Sequence, residues 1–152
     1  MAMIRLPMGF RAFLKSFNNA KVDYMVVGGY AVNMHGYVRN TGDLDVWIKS
    51  DLPNAQRVVD ALVSFGFAPE DIDESLFIGP RQIVRMGVEP EKIEIITTIE
   101  GVDWEDCKTK SVSFEIDGLD LPVIGLADLR KNKAQAGRHR DLDDLENLPE
   151  VE

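Results

Sequence analysis

The sequence predicts an α+β domain, close to the α/β class, in which a mixed β-sheet is flanked by helices. Three observations predict it. Apolar runs too short for helices recur along the chain, segments with apolar residues at helical spacing lie between and after them, and Gly-, Pro- and Asp-containing links of hairpin length join the later strand candidates. At 152 residues, 45% of them hydrophobic and 28% charged, the chain suits one globular domain, residues 1–152, with a real core and little room for a second.

The elements follow in order. Residues 11–19 form an amphipathic helix, with Phe10, Phe13, Leu14 and Phe17 at helical spacing and Asn18-Asn19 as the stop signal. Residues 22–27 are a compact apolar run ending at Gly28-Gly29, a buried strand, and 30–37 form a short helix with Gly36 near its end. Residues 43–48 alternate Asp, Leu, Asp, Val before Trp47-Ile48, a strand with both aspartates on one face. A helix over about 54–65 carries Val58, Ala61, Leu62 and Phe65 on one stripe and ends before Gly66. Residues 82–86 and 92–98 read as strands joined by a hairpin-length loop, and 112–116 and 121–124 as strands flanking Asp117-Gly118. Residues 126–136 and 141–148 show helical spacing on either side of Gly137, so helices within 126–148 pack on the same domain.

Composition excludes several classes. No apolar run approaches the ~20 residues that span a bilayer, and the first ten residues lack the layout of a signal peptide. The only cysteine, Cys107, cannot form an internal disulfide, so a cytoplasmic protein without a membrane partner is expected. Seventeen basic against 26 acidic residues give a net charge of −9, which opposes binding along a long nucleic-acid duplex. Neither G-x-x-x-x-G-K-[ST] nor G-x-G-x-x-G occurs. His35 and His139 lack a second zinc-type ligand nearby, and Met34, Met86, Trp47 and Trp104 suit packing.

The residues with chemical potential concentrate between positions 28 and 48. A strand that ends in Gly28-Gly29 and turns into a helix lets backbone N–H groups approach an anion, although such a turn also needs glycine for conformational reasons alone. Asp43 and Asp45 stand two positions apart on one strand, which puts their Cα atoms ~7 Å apart on one face. Carboxylates so placed can converge on a hard cation, and a bound cation relieves the repulsion between them in a strand as apolar as this one. Glu94 interrupts the apolar run Ile93-Glu94-Ile95-Ile96; it should lie exposed at an edge, pair with a base, or bind metal.

Arg130, Lys131, Lys133, Arg138, His139 and Arg140 form the dense basic cluster of an acidic chain, and helix-end solvation accounts for most of it. Lys133 shares a helical face with Leu126 and Leu129, so its stem can lie along apolar surface while its ammonium reaches a phosphate or an acidic group. Asp141 is placed to cap the last helix, and Asp144 to pair with Arg138 or Arg140.

The order Gly28-Gly29, a spacer of 13 residues, Asp43-Leu-Asp45-Val and a later acidic strand residue resembles the nucleotidyltransferase fold of the DNA polymerase beta superfamily. Within it, Arg39-Asn-Thr41-Gly-Asp43-Leu-Asp45 resembles the R-x-T-x-D-h-D segment of small bacterial proteins related to AbiEii-type abortive-infection toxins. Residues 128–145 are similar to the same group's D-L-h-x-x-K-x-x-x-G-R-x-K-D-x-x-D-h element. The resemblance implies an enzyme that moves an NMP from an NTP to an acceptor hydroxyl on tRNA, a protein or a small molecule. It implies catalytic and metal-binding roles for Asp43, Asp45 and Glu94 with Mg²⁺ or Mn²⁺, and nucleotide-binding roles for Gly28, Gly29, Arg39, Thr41 and Lys133. A toxin–antitoxin setting with a partner protein is part of that expectation. The departure is Glu94, where aspartate is more usual. The rival expectation is a non-catalytic nucleotide-binding or protein-interaction module of the same fold.

Overall fold

The computed structural model describes residues 6–87 and 91–151. Its elements are α1 (Met8–Asn19), β1 (Tyr24–Val27), α2 (Gly28–Met34), β2 (Leu44–Ile48), α3 (Leu52–Phe65), β3 (Ile83–Met86), β4 (Ile93–Ile96), α4 (Trp104–Thr109), β5 (Val112–Ile116), β6 (Leu119–Val123), α5 (Leu126–Ala136) and α6 (His139–Asn147). Short 3₁₀ turns at Pro69–Asp71 and Glu74–Phe77 lead from α3 to β3.

The strands form one six-stranded sheet in the order β3-β4-β2-β1-β6-β5. It is mixed, as the sequence predicts: β2 runs parallel to β4 and β1 parallel to β6, while β1/β2, β3/β4 and β5/β6 are antiparallel. The central strands are apolar because both their faces are covered. Tyr24, Met25, Val26 and Val27 of β1 are all buried, as are Val46, Trp47 and Ile48 of β2. On α1, Phe10, Phe13, Leu14 and Phe17 are buried, and the Phe13 ring meets Phe65 of α3 edge-on at 5.7 Å.

Element boundaries move where capping chemistry decides them. Helix α3 begins at Leu52, two residues ahead of expectation, because the Asp51 carboxylate accepts from the Asn54 N–H at 2.9 Å and Pro53 is tolerated in the first turn. Helix α6 begins at His139 because the Asp141 carboxylate accepts from the Arg138 backbone N–H at 3.1 Å and from Arg138 Nε at 2.8 Å; Asp141 therefore caps the helix from inside it. Asp117 and Gly118 both take positive φ, 52° and 79°, which is the backbone that a two-residue hairpin turn with right-handed strand twist requires. The link expected between the third and fourth strands includes residues 88–90, which lie outside the described residues. Helix α4 has no counterpart in the sequence reading. Cys107 is its one buried side chain, so no apolar stripe marks it, and its local signal is the Asp103 cap on the Asp106 N–H.

Candidate functional site

The site lies where β1 ends, α2 begins and β2 starts. Antiparallel pairing of β1 with β2 sets Val27 opposite Asp45, so the first residue of α2 faces that carboxylate. Gly28 has φ +66°, and a Cβ built on it would overlap the Asp45 carboxylate. A Cβ on Gly29 would stand 2.6 Å from Thr41 Cγ2. Both glycines therefore make room for side chains of the segment that follows α2, a close approach that the sequence leaves open beside the anion-binding alternative.

Asp45 is the electrostatic centre. Its Oδ1 is the one buried side-chain polar atom without a hydrogen-bond partner among the described residues. Burial, then the charges of Glu94 and Asp43, push its pKa up to about 6. Parallel pairing of β2 with β4 sets Glu94 directly beside it in register. Strand β4 lies between β3 and β2, so Glu94 is not at an edge; of the three expected environments, the structure shows pairing with a base. Arg85 Nε donates to Glu94 Oε1 at 2.9 Å, and Lys92 Nζ lies 3.8 Å from that oxygen and 3.5 Å from Asp43 Oδ2.

Among the described residues, no three acidic, His or Cys side chains are drawn into a closed metal-holding cluster. The donor chemistry nonetheless fits a hard divalent cation: the ligand atoms are carboxylate oxygens, two of the three carboxylates raise the pKa of the third, and one oxygen of that third is buried and unsatisfied. A cation there would remove the cost of that buried charge.

A second group of charges braces the site from behind. Arg39 donates from Nε and Nη2 to the two oxygens of Asp144 at 2.8 and 2.9 Å, and from Nη1 to Thr41 Oγ1 at 3.1 Å. Lys133 Nζ stands 3.0 Å from Asp144 Oδ2 and 3.2 Å from Asp141 Oδ1, and Arg138 Nε bonds Asp141 Oδ2 at 2.8 Å. Asp141 and Asp144 are fully buried. Burial alone would raise their carboxyl groups, but Arg138 and Lys133 at Asp141, and Arg39 and Lys133 at Asp144, outweigh it and hold both below the ordinary range.

The expected site residues thus fall into two sets. Gly28, Gly29, Thr41, Asp43, Asp45 and Glu94 meet at one end of the sheet, whereas Arg39 and Lys133 turn their charged groups toward Asp144. Asp144 pairs with Arg39 and Lys133 instead of Arg138 or Arg140, because α6 folds back on α5 and buries it against the segment before β2. Sequence reasoning also missed Arg140, which lines a cavity of about 210 Å³ with Gly29, Thr41, Gly42, Asp43 and Asp45. Its signal was the basic cluster itself, which does not say which cation faces inward. Asp45 also borders a second cavity, of about 280 Å³, lying between β4 and α5.

No helix among the described residues is long and apolar enough to cross a membrane. No protein-family model matches the sequence, and no curated protein matches it. Solved structures do. A candidate nucleotidyltransferase from Thermotoga maritima, TM1012, is similar over 90% of this chain and 88% of its own, at 17% identity and a TM-score of 0.61. The lincosamide antibiotic adenylyltransferase LnuA, solved with lincomycin bound, is similar over 94% of this chain and 96% of its own, at 15% identity and a TM-score of 0.61. An antigenic nucleotidyltransferase-like protein from Paracoccidioides brasiliensis is similar over 91% of this chain and 73% of its own, at 13% identity and a TM-score of 0.53. With its mixed six-stranded sheet and flanking helices, this chain has the nucleotidyltransferase fold.

Proposed function

We infer that the chain is a divalent-metal-dependent nucleotidyltransferase that moves an NMP from an NTP to an acceptor hydroxyl. One observation carries this reading: within a nucleotidyltransferase fold, half-buried Asp45 holds one buried, unsatisfied oxygen beside Asp43 and Glu94, an arrangement that is costly for the protein unless something cationic binds. Mg²⁺, or Mn²⁺ in its place, held by Asp43, Asp45 and Glu94 would supply charge neutralisation for the triphosphate and a lowered pKa for the acceptor hydroxyl.

The chain's own residues do the rest. Gly28 and Gly29 keep the backbone at the end of β1 free of side chains, so phosphate oxygens can come close to it and to the Asp45 carboxylate. Arg39, fixed by Asp144, holds Thr41 against Gly29 and sets the path of the segment that delivers Asp43. Arg140 lines the same cavity and offers a guanidinium to a triphosphate placed there. Lys133 acts as a fixed positive charge behind Asp45, easing the ionisation of that carboxyl. In the transfer, the acceptor oxygen bonds to the α-phosphorus, the α–β phosphoanhydride bond breaks, pyrophosphate leaves with the bonding electrons, and the hydroxyl proton passes to solvent.

The AbiEii-type assignment, with a toxin–antitoxin partner, is the finer part of the proposal and rests on the segments 39–45 and 128–145. One observation favours the non-catalytic reading: Arg85 and Lys92 already hold Glu94. The two readings separate on incubation with each α-labelled NTP, Mg²⁺ or Mn²⁺, and cell extract as acceptor, comparing wild type with Asp45→Ala. Label transfer lost in the variant supports the enzyme. Metal-dependent NTP binding without transfer supports the module, and absence of both nucleotide and metal binding sinks the two together.

A further inference from the structure

The two cavities that share Asp45 differ in chemistry. The first presents Thr41, Asp43, Asp45 and Arg140 around glycine backbone, with no apolar side chain in its wall. The second is amphipathic: it is lined by Ile83, Ile96 and Ile99 together with Asn132 and Ala136 of α5 and Arg138, the residue before α6. A wall of three isoleucines is wasted on a triphosphate, whereas the first cavity offers an anion both a cation and open backbone.

In an in-line displacement, nucleophile and leaving group occupy opposite sides of the reacting phosphorus. If pyrophosphate leaves into the Arg140 cavity, the acceptor oxygen must come from the opposite side of the phosphorus, and the amphipathic cavity is the second one that Asp45 borders. We propose that this cavity is the acceptor site, and that the acceptor is a small hydroxylated molecule, neutral or cationic, with an apolar face. The proposal rests on the nucleotidyl-transfer reading above.

Size and charge select that class. About 280 Å³ lies near the lower limit of small-molecule sites and admits one compact molecule, not a folded polymer surface. The cations in its wall are already neutralised: Lys133 by Asp141 and Asp144, Arg138 by Asp141. Glu94 is paired with Arg85 and Glu100 has no ion pair among the described residues, so the wall keeps no unpaired cation for a phosphate-bearing acceptor. The chain's net charge of −9 supplies no compensating attraction for a phosphate-bearing acceptor such as an RNA end. A neutral polyol or an amine needs neither.

The test divides cell extract by ultrafiltration into molecules below ~1 kDa and retained macromolecules, and offers each with α-labelled NTP and Mg²⁺ to wild type and to Ala136→Trp. The indole narrows the amphipathic cavity from α5, at a position that does not line the Arg140 cavity. Expected is label in the small fraction only, with transfer down at least tenfold in the variant while labelled NTP is retained on it as on wild type. An Ile99→Phe variant repeats the test from the isoleucine lining should the tryptophan disturb folding. Label in the RNA or protein of the retained fraction overturns the assignment, as does wild-type acceptor KM in folded variants, or NTP binding with transfer to neither fraction. Failure of wild type to bind NTP at all is a different result: it removes the underlying reading, and this inference with it.

Discussion

Two groups of charge, one buried and one half-buried, lie within one small region, and they are built on opposite principles. In the group behind the site, the charges are matched: Arg39 and Lys133 on Asp144, Lys133 and Arg138 on Asp141, with both aspartates held below the ordinary carboxylate range. In the group at the front, carboxylates press on one another and Asp45 is pushed up to about 6. The matched group uses its charges to fix geometry, whereas the front group leaves one uncompensated where a ligand can compensate it. Substitutions should therefore act with opposite sign in the two groups.

The largest effect is expected from breaking the matched group. Asp144→Ala takes from Arg39 its only carboxylate partner among the described residues and leaves Lys133 with Asp141 alone, and removing one member of a buried pair costs ~3–5 kcal/mol. Urea unfolding followed by far-UV circular dichroism would read this as a lower midpoint. A midpoint within error of wild type would mean that the guanidinium and ammonium escape to water and that the brace is not structural.

Gly28→Ala should follow. The added methyl meets the Asp45 carboxylate in a left-handed backbone conformation, φ +66°. Forced backbone strain of this kind costs ~1–3 kcal/mol. The carboxylate must also move, so loss of Mn²⁺ binding, followed by the ion's paramagnetic signal, should exceed what the stability change explains. A variant that is destabilised yet binds Mn²⁺ like wild type would show that the glycine serves the turn alone.

Asp45→Asn should change stability in the other direction. At neutral pH it removes a charge that burial and two neighbouring carboxylates disfavour, so the metal-free variant should gain on the order of 1–2 kcal/mol while losing transfer activity. Thermal unfolding in the presence of chelator measures the first, and the labelled-NTP assay the second. A less stable variant would imply that Asp45 has a partner that holds it in its charged state.

How much of this the sequence carries depends on how local each feature is. The Asp43–Asp45 pair, the strand ending at Gly28 and the turn at Asp117-Gly118 are legible because period-two patterning and turn chemistry act over a few residues. Glu94 is legible as a polar residue in an apolar strand, but its environment is not, since strand order alone decides whether β4 is an edge. The Arg39–Asp144 pair joins residues far apart in sequence and depends on how α6 folds back over α5, which no spacing rule encodes. The amphipathic cavity is harder still, because Ile83, Ile99 and Asn132 come from separate elements and each reads as an ordinary packing or surface residue. Helix α4 escapes for the reverse reason: it buries too little to leave a pattern.

The smallest effect near neutral pH is expected from titrating the matched group, and the sign can be worked out. A carboxyl whose folded pKa is depressed contributes stability that is complete above its unfolded value, about 4, and is lost as pH falls through the lower folded value. Asp141 and Asp144 are both of this kind, so between pH 8 and 5 they should leave thermal stability flat. Asp45 is of the opposite kind: its penalty is present above about 6 and disappears as pH falls toward the ordinary carboxylate range. Metal-free wild type should thus become slightly more stable from pH 7 to 5, then less stable below about pH 4 as the matched aspartates take up protons. In Asp45→Asn the gain between 7 and 5 should vanish while the acid loss remains. An acid loss that begins above pH 5, or that disappears with Asp45→Asn, would place the stabilising carboxylates at the front of the site and reverse the division of labour between the two groups.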